Sequence, residues 1–411
     1  MGFARFLIEN ARWLAAGALL TFMSGFGQTF FISIFAGEIR SELNLSHGEW
    51  GAIYAMGTTA SAVVMVWAGA LADRLRARVL GTSILMGMVA ACLLMAATPS
   101  VLILPFAVFA LRFTGQGMAG HLGIVVMSRW FSQMRGRAIA TASFGFSLAE
   151  VILPISFVLL LSWFDWRLLW VAAAVIVVLS IPALRHLLKA ERSPGEMSEA
   201  TESLGLGGIH WTRRMAVKHW LFWLMVPAIL GFSAFGTAFL FHQVHFAEIK
   251  GISHLSLVSS FPFYTAVSVS SLMAFGWALD RFGVSRLLPF YELPIAIAFV
   301  CFALAPGLPA IWLGLLFFGI STGAASTLVP AFWAEVYGTR HIGAIKAMAA
   351  AVMVLGSAIG PGLTGGLIDF GIGLEVQYIG VALYFALVTI GLWRGVRRVE
   401  TGAAQNPIQN T

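Results

Sequence analysis

Two opposite charges stand inside long apolar stretches of this chain, and their chemistry gives the first indication of function. Arg112 is the one charged residue of the run 101–127, and Glu150 is the one charged residue of the run 138–163. A guanidinium keeps its proton and binds carboxylates through paired hydrogen bonds, whereas a carboxyl group can gain or lose a proton. Together the two residue types could bind an anion and exchange a proton.

The elements that must position these groups are membrane helices. The chain has 411 residues, of which 59% are hydrophobic and 10% are charged, whereas ordinary globular chains are roughly 45–50% apolar and about 25% charged. Crossing the hydrocarbon takes about 20 apolar residues in a helix, which pairs its own backbone groups. The apolar pattern therefore predicts an all-α membrane protein with twelve transmembrane helices. These lie near 13–36, 50–72, 79–97, 101–127, 138–163, 168–188, 220–245, 257–279, 287–305, 309–334, 344–368 and 376–396.

The net charge of +7 is a signal of topology. If both termini are cytoplasmic, most of the 25 Lys and Arg fall in the inner loops and tails, which is the positive-inside pattern. We therefore expect a multi-pass protein of the cell inner (plasma) membrane, with the lipid bilayer as its surroundings and no nucleic-acid partner. The apolar run after Arg12 is too long for a cleavable signal peptide.

The sequence contains no pattern typical of an enzyme or of a metalloprotein. Cys92 and Cys301 lie in apolar helices, away from any Cys/His cluster, and are interpreted as packing residues. No nucleophile with a base is visible, so we predict no catalytic residues, no metal and no cofactor. A phosphate-binding Gly-x-x-x-x-Gly-Lys-Ser/Thr loop is absent as well, which argues against a primary pump.

Arg112 and Glu150 are predicted to lie near the bilayer midplane. Arg112 is about 17 Å along its helix counted from Val101, and Glu150 is about 20 Å along its helix counted from Arg137. Our hypothesis is that the two side chains interact, directly or through water, and take part in substrate binding or proton coupling. The alternative is that they only brace helices 4 and 5. Gln116 is expected on the same face as Arg112.

Helix 1 has a polar stripe, which indicates that this face of the helix lines a water-filled cavity. Thr21, Ser24 and Gln28 recur at positions i, i+3 and i+7, so they share one face of a helix. Packing of small polar residues explains Thr21 and Ser24 equally well. Gln28 is the residue of this stripe that we expect to line a cavity.

The second half of the chain supplies further candidate substrate contacts. Phe235 and His242 belong to an aromatic stripe on helix 7, a pattern that is also typical of packing. Thr322 and Ser326 lie among small residues on helix 10. Glu292 on helix 9 is expected to reach the inner surface or to pair with Arg286.

A short charged loop occurs twice, about half a chain apart, and indicates two similar halves. The first copy has Gly69, Asp73, Arg74 and Arg78, and the second has Gly276, Asp280 and Arg281. We predict an N-terminal six-helix bundle, a cytoplasmic linker, a C-terminal six-helix bundle and a cytoplasmic tail. Their bounds are 1–188, 189–218, 219–398 and 399–411.

These features together resemble the major facilitator superfamily across nearly the whole chain. The loop Gly69–Arg78 resembles that family's signature Gly-x-x-x-Asp-Arg-x-Gly-Arg-Arg, with Arg76 in place of the second glycine, and Gly276–Gly283 is similar to its weaker copy. Arg112 begins the sequence Arg-x-x-Gly-Gln-Gly, which resembles the family's helix 4 motif. The resemblance implies two pseudo-symmetric six-helix bundles around a cavity lined by helices 1, 4, 7 and 10, which opens alternately to each side. It also implies that the Asp73 loop latches the inner gate. We further expect the protein to be a monomer.

Two segments are similar to the monocarboxylate and oxalate/formate branch of that superfamily. They are Phe241–His245, followed by Gly251–Ser253, and Ala334–Gly343. That branch implies a cation in the middle of helix 8 or 11, whereas residues 255–279 contain none.

We therefore expect a secondary active transporter of a small organic solute, with a carboxylate as the favoured substrate and protons as the coupling ion. The alternative is a proton-driven exporter of amphipathic drugs, which the aromatic helix 7 and the lack of a second buried cation favour. A sensor that does not transport is a third possibility, and it would require an appended soluble domain, for which 189–218 is too short.

Overall fold

The chain folds into helices joined by short turns. The computed structural model describes residues 3–69, 71–131, 134–190 and 204–400, and no β-strand occurs among them. Each of the twelve predicted apolar stretches is mainly helical over its described residues. The prediction of an all-α membrane protein is confirmed.

We number the membrane helices α1 to α12 in chain order. In the first half, α1 is a bent pair, Ala11–Gly27 and Thr29–Leu43; α2 is His47–Ala68; α3 is Ala77–Ala96; α4 joins Leu104–Arg112, Phe113–Ala119 and Gly120–Trp130; α5 is Arg135–Leu161; α6 is Trp166–Leu187. In the second half, α7 is Trp220–Phe241; α8 is Phe261–Phe282; α9 is Leu293–Leu304; α10 is Leu308–Tyr337; α11 is Ile342–Asp369; α12 is Leu374–Glu400.

Two of the predicted spans differ from simple membrane helices. Within the described ranges, ten helices are long and apolar enough to cross a membrane, or eleven if the bent pair of α1 is one span. α4 is not among them because it consists of three consecutive helical segments, and the middle one, Phe113–Ala119, is a π-helix. The irregular backbone is therefore concentrated in α1 and α4.

The chain divides into two compact units. Unit 1 comprises residues 1–200 together with the segments Phe239–His245 and Pro361–Gly366, and unit 2 comprises the remaining residues. Short segments of α7 and α11 thus belong to unit 1. The predicted bounds of the two bundles, the linker and the tail stay predictions, and residues 191–203 and 401–411 lie outside the described ranges.

Small residues let α1 approach α4 and α5 within unit 1. A Cβ atom on Gly27 would overlap the Leu111 carbonyl of α4, and one on Gly145 of α5 would overlap the Ala18 carbonyl of α1. Membrane helices associate through such close packing, since lipid provides no hydrophobic force between them. These contacts fix the backbone around Arg112.

Unit 2 is held together by the packing of α8 against α10 and of α9 against α10 and α12. Gly319 and Gly323 of α10 face α8 so closely that a Cβ on either would meet the backbone of Tyr264 or Ser268. Gly314 of α10 likewise accommodates the ring of Phe302 on α9. The small residues predicted on helix 10 therefore serve helix packing.

The last part of the predicted linker belongs to unit 2 and packs against α10. Trp211 is 3% exposed and belongs to a buried cluster with Trp333 and Tyr337 of α10. Its ring lies 5.4 Å from that of Tyr337, and its indole N–H donates to the Leu206 carbonyl at 3.0 Å. The sequence suggested no buried residues here, because one tryptophan among polar residues gives no periodicity.

We predict that Trp211→Ala destabilises the folded protein by about 3–5 kcal/mol, because it removes a large buried aromatic side chain. Thermal unfolding of the purified protein in detergent measures the change. Trp163→Ala is the matched control, since Trp163 is 72% exposed and its loss leaves no cavity. Equal melting temperatures of the two variants would contradict a structural role for this end of the linker.

Candidate functional site

The candidate site begins at a break in the middle of α1. Gln28 is extended, with φ −89° and ψ 155°, and the two parts of α1 meet at an angle of 46°. The Phe31 N–H donates to the Gln28 carbonyl in the first turn of the second part of α1. Interrupted membrane helices are tolerated where other protein groups satisfy the backbone, so the surroundings of Gln28 are decisive.

Arg112 of α4 is the group that meets this break. Its side chain is 2% exposed, and Nη1 donates to the Gly27 carbonyl at 3.2 Å and to Thr29 Oγ1 at 3.4 Å. Its guanidinium carbon lies 5.3 Å from the centroid of the Tyr54 ring of α2, within the range of a cation–π interaction. Thr29 Oγ1 and the Tyr54 hydroxyl are 2.5 Å apart.

The cation of Arg112 is thus surrounded by neutral groups. Glu150 is not among its hydrogen-bond or ion-pair partners, and Arg112 Nε has no hydrogen-bond partner within the described residues. A guanidinium presents five N–H donors that suit a carboxylate. The arrangement leaves part of this donor set unused at a buried position.

The π-helix that follows Arg112 changes which residues share its face. Arg112 is buried whereas Gln116 is exposed, although an α-helix would place them one turn apart on one side. In the π-helix Phe113–Ala119 the hydrogen bonds run from i to i+5, so residue i+4 is rotated away. Such π-helical turns are frequent at functional sites.

Glu150 lies on α5, on the other helix that flanks the turn of α1. Its neighbour Ala149 and Leu153 of α5 pack against Gly25, while Leu111 and Gly115 of α4 pack against Gly27. The helices of Arg112 and Glu150 therefore contact the same turn of α1, and Glu150 is half-buried. Their coupling stays a prediction.

The other predicted contacts have local partners. Gln28 is half-buried at the break itself. In unit 2, Thr322 lies 3.2 Å from the Tyr264 hydroxyl, and Ser326 donates to the Thr322 carbonyl at 2.8 Å. Phe235 packs edge-to-face on Tyr384 and Phe385, with centroids 5.4 Å and 6.0 Å away.

His242 follows the last residue of α7 and lies in the part of the chain that joins unit 1. It is 4% exposed, and Nε2 lies 3.1 Å from the Pro361 carbonyl. The ring centroid of His47 is 5.9 Å away, and that of His245 lies 4.3 Å from His47. Burial, together with the nearby His47, His245 and Arg40, lowers the pKa of His242 to about 3, although the hydrogen bond to the Pro361 carbonyl raises it. His242 is therefore neutral at physiological pH.

Gln243, beside it, is a contact that the sequence did not reveal. Its side-chain amide donates to the Phe30 carbonyl at 3.1 Å and to Ser33 Oγ at 2.6 Å. Both partners belong to the second part of α1. Among the described residues, no three His, Cys, Asp or Glu side chains are placed to hold a metal ion.

The repeated charged loop is described only in part. Ala70 and the side chain of Asp73 lie outside the described part of the chain. Arg129 of α4 donates to the Ala72 carbonyl at 2.7 Å. Of the remaining motif residues, Arg74, Asp280 and Arg281 are exposed, whereas Gly69, Arg78 and Gly276 are half-buried. Gly276 lies within α8, and the others lie at or near helix ends. A role of this loop as a gate stays a prediction.

We predict that Gly27→Ala destabilises the protein by about 1–3 kcal/mol, because the added methyl group overpacks a backbone contact between α1 and α4. It should also displace the carbonyl that holds Arg112. Thermal unfolding in detergent measures the effect. Gly391→Ala on α12 is the control, since its Cβ would meet nothing within 4 Å. Identical melting temperatures for both variants would contradict the tight contact.

We predict that acid destabilises the protein through His242. The unfolded chain binds a proton at this residue below pH 6.5, whereas the folded chain does so only near pH 3. The unfolded state therefore binds more protons, and stability falls as the pH falls, by about 1.4 kcal/mol per pH unit in this window. Melting temperatures measured between pH 7 and 4 should fall less for His242→Gln than for the wild type.

His186→Gln provides the matched control for this experiment, because His186 is exposed on α6 and should leave the wild-type pH profile unchanged. If His242→Gln has the same pH profile as His186→Gln, His242 is not responsible.

Comparison with known proteins agrees with this architecture. The family model described as Major Facilitator Superfamily matches residues 17–361. Among characterised proteins, the chain is 23% identical over 359 residues to the gentisate transporter of Corynebacterium glutamicum, covering 83% of this chain and 78% of that protein. It is 22% identical over 324 residues to monocarboxylate transporter 12 of Mus musculus, covering 70% of this chain and 65% of that protein.

Solved structures show the same fold. A bacterial homologue of the human lysosomal transporter Spinster, in an inward-facing and unoccupied conformation, superimposes with a TM-score of 0.73 at 16% identity, over 95% of this chain and 98% of that one. The nucleoside transporter NupG superimposes with a TM-score of 0.70 at 13% identity, over 97% and 100% of the two chains. The chain belongs to the Major Facilitator Superfamily, and it is a membrane transporter of a small solute that works by alternating access rather than an enzyme.

Proposed function

We propose that this transporter moves a small organic carboxylate together with protons, and that Arg112 binds the carboxylate group. The observation that carries the proposal is a buried guanidinium whose contacts, within the described residues, are a carbonyl, a hydroxyl and an aromatic ring. A charge at the membrane centre costs at least about 2.5–3.5 kcal/mol. A cation retained there without an acidic contact is well suited to an anionic substrate.

The geometry of the guanidinium favours a carboxylate. Charge-assisted hydrogen bonds are roughly twice as strong as neutral ones, and a carboxylate accepts two of them from one guanidinium. A substrate carboxylate can therefore replace the Gly27 carbonyl and Thr29 Oγ1 at Arg112 Nη1. The bound carboxylate would lie where α1, α2 and α4 meet at the break. Its binding would therefore affect the backbone of these three helices.

Proton coupling follows from the same pair of helices. Glu150 lies on α5 against the other side of the α1 turn, and a carboxyl group near the midplane can change its protonation when the surrounding water changes. A substrate carboxylate bound at Arg112 would bring a further negative charge to this turn of α1, which favours the protonated form of Glu150. The anion and the proton would then cross together without net charge.

The relatives support the substrate class. The names of the gentisate transporter and of monocarboxylate transporter 12 both specify a carboxylate. The aromatic stripe that favoured an exporter of amphipathic drugs is explained by packing, since Phe235 contacts Tyr384 and Phe385.

We also propose that the protein is a monomer in the plasma membrane. Both termini are proposed to be cytoplasmic, as the distribution of Lys and Arg indicates.

We predict that Arg112→Ala lowers carboxylate uptake into proteoliposomes on the order of 100-fold, as expected when one partner of a buried charged pair is lost. Arg112→Lys should retain part of the activity, because it keeps the charge but loses the fork-shaped donor set. A panel of carboxylates and uncharged analogues identifies the substrate class.

We predict that Glu150→Gln still transports the carboxylate down its own concentration gradient. Its uptake should no longer be accelerated by an inward proton gradient.

Arg5→Ala is the matched control, since Arg5 forms only an exposed ion pair with Glu9. Monodisperse elution and an unchanged melting temperature of each variant establish that it is folded. Wild-type carboxylate uptake by folded Arg112→Ala would refute the assigned role of Arg112. Preference for uncharged analogues by the wild type would refute the substrate class.

A further inference from the structure

Unit 2 contains a buried carboxyl group at the start of α9. Glu292 is 0% exposed, although it was expected to reach the surface or to pair with Arg286. The side chain of Arg286 is exposed and does not pair with it. Neither carboxylate oxygen of Glu292 has a hydrogen-bond partner within the described residues. A full negative charge would therefore have no compensation at this position.

The local backbone removes one of the donors that could otherwise have reached the Glu292 carboxylate. Glu292 precedes the first residue of α9, where a side chain normally accepts hydrogen bonds from the first free N–H groups of the helix. The second residue of this helix is Pro294, which has no N–H, and no capping hydrogen bond is formed. The helix dipole favours an anion here, but its effect is smaller than the cost of desolvating a carboxylate.

Within the described residues, the titratable groups that interact with Glu292 are the hydroxyls of Tyr291 and Tyr384. Tyr291 is close enough to interact with the carboxyl group but makes no hydrogen bond of acceptable geometry. Tyr384 of α12 also lies within electrostatic reach. On the α10 side, Ser321 Oγ donates to the Tyr291 carbonyl at 2.9 Å. Within the described residues no Lys, Arg or His forms an ion pair with Glu292.

We propose that Glu292 is a proton-binding site of the transporter, where the proton is carried as a neutral carboxylic acid. Burial without a cation or a strong donor favours this form, because only the charged form needs solvation. When a conformational change admits water, the O–H bond breaks and the proton passes to water. On the return, the carboxylate takes up a proton from water before it is buried again.

We assign Tyr384 of α12 a role in proton access to this acid, because its hydroxyl lies within electrostatic reach of Glu292. Its side chain is half-buried, and its hydroxyl donates to the Pro227 carbonyl of α7 at 2.7 Å. A Cβ on Gly231 of α7 would overlap its ring, so the missing side chain of Gly231 makes room for the phenol.

The first test is spectroscopic and needs no substrate. The infrared spectrum of the purified wild type at neutral pH should contain the C=O band of a protonated carboxylic acid, which shifts in heavy water. Glu292→Gln should lose this band, whereas Glu335→Gln, which removes an exposed carboxyl group of α10, should keep it. Tyr384→Phe should keep the band but slow its shift in heavy water. A wild-type spectrum without a band that depends on Glu292 would overturn the proposal.

The second test rests on the proposed function, since it uses carboxylate transport. Glu292→Gln should lose accumulation driven by a proton gradient but retain exchange of labelled for unlabelled carboxylate, which requires no net proton movement. Glu335→Gln should keep both activities. Loss of exchange together with accumulation, or full accumulation by Glu292→Gln, would overturn the proposal. Accumulation driven by sodium rather than by protons would overturn it as well.

The two proposals fail in different ways. If the wild type transports no carboxylate, the proposed function is wrong, whereas the infrared band still reports the protonation of Glu292. If the wild type accumulates a carboxylate with protons but Glu292→Gln does so equally well, only the role of Glu292 is refuted.

Discussion

The structure of unit 1 depends on the hydrogen bonds that a buried guanidinium makes to an interrupted helix far from water. The break at Gln28 interrupts the backbone hydrogen bonds of α1 inside a predicted membrane span, and Arg112 brings a permanent charge to the same place. Either feature alone would be costly in lipid. Together each compensates the other, because the guanidinium donates to the Gly27 carbonyl and to Thr29 beside the break. The close backbone contact at Gly27 and Gly115 is what makes this distance possible.

The two units contain different charged chemistry. Unit 1 has a buried cation that cannot lose its proton, and unit 2 has a buried acid that can. Under the two proposals, the first suits a substrate that carries its own negative charge, and the second, like Glu150 of unit 1, suits a proton that travels with it. This division explains why neither group has a protein partner of opposite charge within the described residues. A fixed partner would neutralise the group but would also prevent it from exchanging its ligand.

The sequence predicted the helices well and the irregular positions poorly. Apolar length depends on the thickness of the bilayer, so each predicted stretch is found as a helix. The stripe of Thr21, Ser24 and Gln28 assumed a continuous α-helix, whereas the break at Gln28 lies within it. The π-helix after Arg112 separates Gln116 from the buried face for a similar reason. Such departures arise from contacts between distant segments, as between Gly27 and Leu111, and no local periodicity encodes them.

The neutral surroundings of Arg112 also decide whether a substrate could leave again. If a protein carboxylate held the guanidinium, a substrate could bind only after this buried ion pair was broken, which costs about 3–5 kcal/mol. A carbonyl, a hydroxyl and the Tyr54 ring hold the cation less firmly, so an incoming carboxylate gains the difference between charge-assisted and neutral hydrogen bonds. When the substrate departs, the same neutral groups are in place to receive the guanidinium again. A transporter needs this moderate balance, because a site that binds its substrate too tightly in one state cannot deliver it in the next.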